Sequence, residues 1–413
     1  MTTGFDIVVL APLYPTVAGA VPAAAMRSRG LCRALVDLGH RVDVVCGMPL
    51  GASPEQLEGV VTHATRWVDF DGILGRVRGA PATQASGPAP AGRALASRLL
   101  PPDRYVTWIP GALVGARRSL RDDSVILSTS AKSAHLAARA IAGHRPWIAD
   151  LNDPWTDNPH MPVGAVRGRV DSRLEALGLG GATHITTVTP PLRDELAARF
   201  GDDRVTTLMS GFDLGNLDGP IAEPPAGRSV VLYAGTLYER FDLEPLYRAL
   251  AAERDAGTIT PASLLMRFVG RLNERVRDES AAHGVAEFFE VSGPVPRAEI
   301  LSLMSTATAL LLPLYEEDPY SLPMKFYEYV GAGRPIVALG PADRFAARLI
   351  EDNALGAVVS SVADVAAIVR RLADDPHALP VPTRASRELF TWERTTETLA
   401  EILEQVTSTR RRG

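Results

Sequence analysis

The chain alternates short apolar runs with amphipathic segments, and this pattern constrains the fold more than any other feature. Residues 6–11 (DIVVLA) form a compact apolar run, residues 26–38 follow with apolar side chains at helical spacing, and residues 41–46 form the next apolar run. Gly39 stands between the predicted helix and strand, where a left-handed residue commonly ends a helix. Apolar runs separated by helical segments are typical of β-α units around a parallel sheet. The pattern therefore predicts an α/β protein.

The same alternation occurs in both halves of the chain. Further strands are predicted at residues 125–127, 147–149, 185–188, 230–234, 265–269, 288–291, 309–312 and 336–339, with helices at 132–142 and 192–200. The sequence EPPAG at residues 223–227 breaks the pattern as a linker does. Because 413 residues exceed the size at which one core stays efficient, we predict two Rossmann-like, doubly wound domains facing a central cleft. Their predicted bounds are residues 1–205 and 206–389, with a closing helix at 390–408 that crosses back onto the first domain.

Composition excludes several classes of function. Hydrophobic residues make up 46% of the chain, charged residues 22%, and the formal net charge is −5. These values predict a large core and no general attraction to nucleic acid. Cys32 and Cys46 are isolated, which favours a reducing compartment over a disulfide framework. Residues 79–103, rich in Pro, Ala, Gly and Ser, are interpreted as a mobile surface insertion, with an acceptor lid as the alternative.

No targeting or membrane-spanning segment is evident. The sequence begins without the basic flank and long apolar core of a signal peptide. Its longest apolar stretch falls well short of the roughly 20 residues that span a bilayer. We therefore expect a cytoplasmic location and no transmembrane segment. The basic run at residues 410–412 is interpreted as a solvated tail, with peripheral membrane contact as the alternative.

Two common nucleotide-binding motifs are missing. The turn after the first strand, APLYPTVAGA, contains one glycine and two prolines. A dinucleotide-binding turn needs the spacing G-x-G-x-x-G so that its backbone can approach the pyrophosphate. The sequence also lacks the P-loop pattern G-x-x-x-x-G-K-[ST]. A dehydrogenase and a P-loop ATPase are therefore disfavoured.

The densest chemical signal lies at residues 313–340, PLYEEDPYSLPMKFYEYVGAGRPIVALG. A buried strand leads into an acidic loop, and a helix is predicted to begin near residues 321–324 and to end at Gly331 or Gly333. Pro323 suits the first turn of a helix, and Ser321 is a candidate cap. Because free N–H groups at a helix start bind phosphate, this region is predicted to hold one.

Lys325 and Glu328 lie three residues apart on the predicted helix. Lys325 is one of two lysines in the chain, the other being Lys132. A carboxylate accepts two hydrogen bonds, which suits the adjacent hydroxyls of a ribose. The alternative is an ordinary exposed ion pair one helical turn apart. The position after a strand end favours a ligand site, since open α/β sheets bind ligands there.

In their order along the chain, these motifs resemble glycosyltransferase family 4, the retaining nucleotide-sugar transferases of the GT-B fold. The opening strand, loop, helix and GHRVDVV resemble the start of such enzymes, and IADLNDPWTDNP resembles a segment of many bacterial members. SGFD resembles the turn between the domains and YAGTLYERFDLEPL the loop that holds the donor diphosphate. MKFYEYVGAGRPIVA resembles the donor-site helix and LFTWERTTETLAEIL the closing helix. The resemblance covers nearly the whole chain.

The resemblance and the predicted helix start together give a set of donor-binding candidates. They are Gly19, Ala20, Gly235, Arg240, Ser321, Leu322, Lys325 and Glu328. Glu328 matches the family's glutamate for the ribose hydroxyls, and Gly19 with Ala20 matches the loop that approaches the donor phosphates and sugar. Arg240 falls near the family's basic residue for the diphosphate, with a solvated loop arginine as the alternative.

Three positions depart from the family pattern, the first being Ser210, which stands where asparagine is usual in the turn SGFD. Tyr320 stands where the first glutamate of the family's glutamate pair is expected, and the acids at residues 316–318 are candidates for the same work in a shifted register. Thr236 replaces an arginine of the donor loop. Positive charge at the diphosphate is therefore expected to rest on Arg240 and Lys325.

His135 and Asp153 are the candidate catalytic residues. Many relatives carry a histidine near the sugar, and His135 is the nearest candidate, with a structural or surface histidine as the alternative. Asp153, in LNDPW, is suited to orient an acceptor hydroxyl, with a capping role as the alternative. The resemblance implies that the departing phosphate accepts the acceptor proton. No metal is expected, since no Asp-x-Asp motif is present, and the nucleotide sugar is a co-substrate.

The sequence thus predicts a glycosyltransferase that moves a sugar from a UDP-, GDP- or dTDP-sugar to an acceptor hydroxyl of a glycan, a lipid-linked sugar or a natural product. Three alternatives share the fold: a sugar-nucleotide epimerase, a non-catalytic sugar-nucleotide-binding protein, and a pseudo-glycosyltransferase that joins cyclitols. Release of nucleoside diphosphate only in the presence of acceptor distinguishes a transferase from the first two.

Overall fold

The chain divides into two compact units. The computed structural model describes residues 4–17, 22–49, 51–67, 100–159, 161–213, 227–271 and 275–410. Unit 1 comprises Met1–Ser210 with Thr395–Gly413, and unit 2 comprises Gly211–Arg394. Most of the linker predicted at 223–227 and most of the insertion predicted at 79–103 lie outside the described residues.

Unit 1 is built on a parallel sheet. Its strands are β1 (Asp6–Ala11), β2 (Arg41–Met48), β3 (Val60–Arg66), β4 (Val125–Ser128), β5 (Trp147–Leu151), β6 (His184–Thr187) and β7 (Val205–Thr207). They lie in the order β3-β2-β1-β4-β5-β6-β7. Its helices are α1 (Ala23–Asp37), α2 (Ile109–Arg117), α3 (Lys132–Ile141), α4 (Ala165–Gly180) and α5 (Pro190–Phe200), with 3₁₀ turns at Val106–Trp108 and Asp202–Arg204.

Unit 2 repeats the architecture. Its strands are β8 (Ser229–Ala234), β9 (Leu264–Val269), β10 (Phe289–Ser292), β11 (Ala309–Pro313), β12 (Ile336–Leu339) and β13 (Gly356–Val359), in the order β10-β9-β8-β11-β12-β13. Its helices are α6 (Glu244–Asp255), α7 (Arg275–Ala282), α8 (Arg297–Thr306), α9 (Met324–Ala332), α10 (Phe345–Asp352), α11 (Val362–Asp374) and α12 (Arg384–Glu388), with a 3₁₀ turn at Ala286–Phe288. The helix α13 (Trp392–Arg410) begins in unit 2 and continues in unit 1.

The predicted strands are confirmed because buried parallel strands read as continuous apolar runs. The strands predicted at 6–11 and 336–339 match β1 and β12 residue for residue, and the others shift by a residue or two. α9 ends before Gly333, which has φ 71° and suits the left-handed position after a helix. In each sheet the strand order reverses beside the first strand, between β1 and β4 and between β8 and β11. Open α/β sheets bind ligands beyond the carboxyl ends of the strands at such a reversal.

A buried ion pair ties α1 to the middle of the unit 1 sheet. The Arg27 guanidinium donates to both Asp150 carboxylate oxygens, at 3.0 and 2.6 Å. It also donates to the Leu208 carbonyl at 2.7 Å and to the Ser210 hydroxyl at 2.9 Å. Burial alone would raise the pKa of Asp150, but the guanidinium and two threonine hydroxyls hold that pKa below its usual value. Both carboxylate oxygens and four of the five guanidinium N–H groups are therefore hydrogen-bonded, which favours the burial of this pair.

The closing helix α13 packs an apolar stripe into unit 1. Its buried residues there are Leu399, Ile402, Leu403 and Val406. Thr395 donates its hydroxyl to the Met209 carbonyl at 3.0 Å. The helix predicted at 390–408 is thus confirmed as a helix. None of the described helices is both long enough and apolar enough to cross a bilayer.

Candidate active site

The carboxyl end of β8 forms the centre of a candidate site in unit 2. The backbone turns at Gly235, whose φ of 129° suits glycine. A Cβ at this position would overlap the Lys325 side chain, because the Cε of Lys325 crosses directly over Gly235. The Ala234 amide, one residue earlier, donates to the Tyr329 hydroxyl of α9 at 3.0 Å. The strand end and the first turns of α9 are therefore fixed against each other.

Lys325 is held at this strand end by neutral oxygen atoms. Its Nζ donates to the Tyr233 hydroxyl at 2.9 Å and to the Thr236 carbonyl at 3.3 Å. The Nζ also lies 4.7 Å from the centre of the Tyr233 ring, a cation-π distance. Burial lowers the pKa of Lys325 to about 8, although the nearby Glu328 opposes this shift. Within the described part of the chain no carboxylate pairs with this ammonium group, which leaves it suited to an anionic ligand.

The start of α9 differs from the sequence prediction. Pro323 occupies the N-cap position and no side chain caps the helix, so the prediction that Ser321 caps it is wrong. The Ser321 amide instead donates to the Asp318 carboxylate at 3.1 Å, as the Tyr320 amide does at 2.9 Å. The Ser321 amide, which was predicted to contact a phosphate, is thus bound to the Asp318 carboxylate. Among the described residues, no acceptor is found for the Leu322 amide.

Asp318 is not available for the role of the glutamate that Tyr320 replaces. It is buried, and its carboxylate caps the backbone of the loop. The other two acids of the loop, Glu316 and Glu317, are exposed. Glu316 and Glu317 are therefore the remaining candidates for the role of the glutamate that Tyr320 replaces.

Glu328 pairs with Arg297, and not with Lys325 as the ion-pair alternative predicted. Its Oε1 accepts a hydrogen bond from Arg297 at 3.0 Å, whereas Lys325 bonds to Tyr233 and Thr236. The alternative that Lys325 and Glu328 form an exposed ion pair is therefore wrong. Arg297 is largely exposed and Glu328 partly so. Such surface pairs contribute little to stability and exchange readily for another partner.

Arg240 lies over an aromatic ring at the same end of the sheet. Its guanidinium is 5.3 Å from the centre of the Tyr315 ring, which follows β11. The Tyr315 ring stacks on Phe241 with centroids 4.4 Å apart. Arg240 is exposed, as the alternative of a solvated loop arginine expects, and its guanidinium also lies against the tyrosine ring. Gly19 and Ala20, the remaining donor candidates, lie outside the described residues.

Unit 1 contains a cavity of about 350 Å³ at the carboxyl ends of its strands. Both catalytic candidates, His135 and Asp153, line it. Other lining residues come from the ends of β1, β4 and β5, from the start of α3 and from the segment before the first 3₁₀ turn: Leu13, Ser130, Lys132, Asn152, Trp155, Asp103, Arg104 and Tyr105. The volume falls within the range of small-molecule sites. The structure therefore brings together two residues that are 18 positions apart in the sequence.

His135 presents a defined hydrogen-bond donor. Its Nδ1 lies 2.8 Å from the Ser128 hydroxyl, which accepts a bond from the Trp147 indole N–H at 2.8 Å. The hydroxyl proton of Ser128 then has Nδ1 as its one acceptor within the described part of the chain. Nδ1 therefore accepts, and the proton of the neutral ring resides on Nε2. Burial lowers the pKa of His135 to about 4, so the ring is neutral at physiological pH. The surface-histidine alternative is wrong, since the residue is buried.

Asp153 is exposed at the cavity. Residues 152–158 are turns and bends, and no helix begins before Ala165. Asp153 therefore does not cap a helix. Its two predicted roles, capping the following segment and orienting a bound hydroxyl, both stay predictions.

Two charged side chains of this cavity, Asp103 and Lys132, already have partners. Asp103 accepts from the amide and hydroxyl of Ser133, at 2.9 and 2.5 Å, and so occupies the start of α3. Lys132 lies 4.0 Å from Asp171. Burial lowers the pKa of Lys132, while Asp171 and Asp103 oppose that shift. With its helix start filled by a carboxylate, the cavity suits an uncharged, hydroxyl-rich ligand better than a phosphate.

Several site residues were not found from the sequence. Tyr233 contacts Lys325, and Tyr315 contacts Arg240. Both tyrosines lie inside quoted motifs, but neither was named as a site residue. Ser128 and Trp147 fix the His135 ring only through the fold. Lys132 was marked by the rarity of lysine, the one available signal. Within the described residues, no group of three or more His, Cys, Asp or Glu side chains is arranged to hold a metal ion.

Each half of the chain matches a family model of known proteins. Residues 24–216 match the model of Glycosyltransferase Family 4, and residues 228–375 match the model of Glycosyl transferases group 1. A glycogen synthase of Mycobacterium tuberculosis is 27% identical over 233 residues, which are 55% of this chain and 55% of that protein. A 2-deoxystreptamine glucosyltransferase of Streptomyces kanamyceticus is 27% identical over 215 residues, 52% of this chain and 51% of that one. The matched region spans about half the length of these relatives.

Solved structures share the fold over nearly the whole chain. The sucrose-phosphate synthase of Thermosynechococcus elongatus superimposes with a TM-score of 0.66 at 15% identity, covering 98% of this chain and 100% of that one. Anabaena HepE in complex with UDP and glucose has a TM-score of 0.62 at 15% identity, with 97% and 100% covered. These structural neighbours have the GT-B fold. The chain therefore has the GT-B fold, and its two halves match glycosyltransferase family models, Family 4 in the first half and group 1 in the second.

Proposed function

We propose that this transferase binds a nucleoside diphosphate sugar in unit 2 and an acceptor in the unit 1 cavity, and that it transfers the sugar with retention of anomeric configuration. The observation that carries the proposal is the Lys325 ammonium at the end of β8. It is partly desolvated and held by neutral oxygens, so that a diphosphate supplies its missing counter-charge. Fixed cations of this kind stabilise the charge that grows on a leaving phosphate.

The donor contacts follow from the same geometry. Lys325 and Arg240 face the diphosphate, the Leu322 amide adds a neutral donor, and Glu328 exchanges Arg297 for the ribose hydroxyls. Because the protein supplies positive charge for the diphosphate, we propose that binding needs no divalent metal. UDP is the first nucleotide to test, since HepE was solved in complex with UDP and glucose.

In unit 1 the neutral His135 donates from Nε2 to a sugar hydroxyl in the cavity, and Asp153 accepts from an acceptor hydroxyl. With a pKa near 4, His135 is a poor general base at neutral pH. The acceptor proton therefore passes to the departing diphosphate oxygen as the glycosidic bond forms. A glycan, a lipid-linked sugar or a natural product satisfies this hydroxyl chemistry.

The test is a calorimetric titration of the full chain with UDP, GDP, dTDP and ADP in the presence of EDTA. We expect one nucleotide to bind, and Glu328→Ala to weaken it by roughly 10- to 100-fold, because two hydrogen bonds to a charged acceptor are lost. Arg297→Ala is the matched control, since it removes the partner of Glu328 and leaves the carboxylate. Equal binding by Glu328→Ala and the native chain would show that the ribose site is misplaced. A requirement for Mg²⁺ would contradict the metal-free part of the proposal.

A further inference from the structure

The segment before α4 exposes an uninterrupted apolar run. Residues 161–166 (MPVGAV) are all exposed and contain no polar side chain. The exposed fractions are 47% for Met161, 41% for Val163 and 77% for Val166. Single exposed aliphatic residues are ordinary on soluble proteins, but a contiguous apolar stretch marks an interaction site.

The outer face of α4 continues this run and adds positive charge. Val166, Arg169, Arg173 and Leu177 are spaced three or four residues apart, which places them on one stripe of the helix. Leu177 is 58% exposed, and both arginines are exposed. In the described part of the chain neither arginine has a carboxylate partner. Residues 161–166 with Arg169, Arg173 and Leu177 are called the α4 surface below.

The carboxylates of α4 are withdrawn from this surface. Asp171 is buried and accepts from Arg167 at 2.8 Å, and Glu175 is buried and accepts from Arg199 at 2.6 Å. The exposed residues of α4 therefore include no acid, although the chain as a whole has a net charge of −5. The α4 surface is thus apolar and cationic, and the described residues that form it include no carboxylate.

We propose that the α4 surface docks on an anionic lipid bilayer. Exposed aliphatic side chains enter the boundary between headgroups and acyl chains, and arginines beside them attract anionic headgroups. A second copy of this chain fits the surface poorly. A two-fold contact would set Arg169 and Arg173 against the same patch, which offers them no carboxylate.

The α4 surface adjoins the unit 1 cavity. Met161 belongs to both, and Asn158, just before the apolar run, also lines the cavity. Docking therefore brings the cavity to the membrane surface, where an acceptor anchored in the bilayer by a lipid chain presents its hydroxyl. This second part rests on the proposed function, whereas the docking itself does not.

The test is co-sedimentation of the full chain with vesicles of equal parts phosphatidylcholine and phosphatidylglycerol, without donor or acceptor. We expect binding to these vesicles and little to pure phosphatidylcholine. Arg169→Glu/Arg173→Glu is expected to weaken binding by at least roughly 30-fold, from the loss of two headgroup attractions. The matched control is Arg248→Glu/Arg348→Glu, which makes the same charge change at two exposed arginines of unit 2 and is expected to bind as the native chain does.

Val166→Ser/Leu177→Ser separates the apolar contribution, and we expect it to lower binding while leaving the fold intact because both side chains are exposed. Absence of vesicle binding, or equal losses in the two charge-reversal variants, overturns the proposal. So does binding that survives at the α4 surface variants but disappears when residues 410–412 are replaced by serine. Sedimentation velocity provides the last check: a dimer that dissociates in Val166→Ser/Leu177→Ser, without any vesicle binding, assigns the surface to a second copy. Each of these results is independent of nucleotide binding in unit 2.

Discussion

The two lysines of the chain occupy similar places in the two units, yet they have opposite surroundings. Lys132 is the first residue of α3 and Lys325 the second residue of α9, and burial lowers the pKa of both. Lys132 has Asp171 at 4.0 Å and Asp103 nearby. Lys325 touches a phenol and a carbonyl. Both lysines are partly buried, but among the described residues only Lys132 has carboxylates beside it. Unit 2 therefore has a cation that an anionic ligand can compensate, whereas the cation of unit 1 is already compensated.

The largest expected effect separates these lysines by substitution. Lys325→Met is expected to weaken binding of the preferred nucleoside diphosphate by roughly 100-fold, because a charged hydrogen bond to phosphate is lost. Lys132→Met is the matched change in unit 1 and is expected to alter that affinity less than about threefold, since its charge is already paired. Calorimetry on both variants gives the comparison. Similar losses in the two would break the distinction between the units.

A second experiment tests whether the unit 1 cavity contacts the transferred sugar and not the diphosphate. His135→Ala is expected to lower kcat/KM for the nucleotide sugar by roughly 30-fold, through loss of one buried hydrogen bond and the gap left behind, with the nucleoside diphosphate affinity unchanged. His135→Gln places an amide nitrogen near the Nε2 position and is expected to restore part of the rate. Turnover is followed as release of nucleoside diphosphate, with His144→Ala as an exposed histidine control.

The rate profile adds a check on this experiment. Because the pKa of His135 is about 4, no ionisation of this residue is expected between pH 5 and 8. A native-chain ionisation in that window that disappears in His135→Gln would contradict the neutral-donor role.

The smallest expected effect is a pH dependence of nucleoside diphosphate binding, caused by the ionisation of Lys325. The pKa of Lys325 is lowered to about 8, so the ammonium is charged below that value and loses its proton as the pH rises through it. The affinity for nucleoside diphosphate is therefore expected to fall by roughly tenfold from pH 7 to pH 9. Lys325→Arg stays charged throughout this range and should remove the dependence. A native affinity that is flat from pH 7 to pH 9 would place the anion away from Lys325.

The fold could be predicted from the sequence wherever burial leaves a direct pattern. Central strands such as β1 and β12 are apolar on both faces and read as unbroken runs. α4 gave no such pattern, because its buried face includes Asp171 and Glu175 in place of an apolar stripe. β3 mixes polar and apolar residues for another reason: it lies at the edge of its sheet and most of its side chains are only partly buried or exposed.

The site could be predicted only in part. Lys325 and Glu328 were found because their helix follows a strand end and resembles a family motif. Their actual partners depend on contacts between distant parts of the chain, such as Lys325 with Tyr233 and Glu328 with Arg297. The capping role predicted for Ser321 failed because Asp318, three residues earlier, takes its amide. Local spacing does not specify such competition between neighbouring acceptors.

The division of the chain into units also affects how it is made. Unit 2 is one continuous stretch, Gly211–Arg394, whereas unit 1 needs Thr395–Gly413 to be complete. Until those residues leave the ribosome, the Met209 carbonyl lacks its bond from Thr395, and unit 1 lacks the buried side chains of Leu399 and Ile402. Domains commonly fold as they are synthesised, the N-terminal one first. Here completion follows the other order, because all of unit 2 is synthesised before the segment from Thr395 onward that unit 1 still needs.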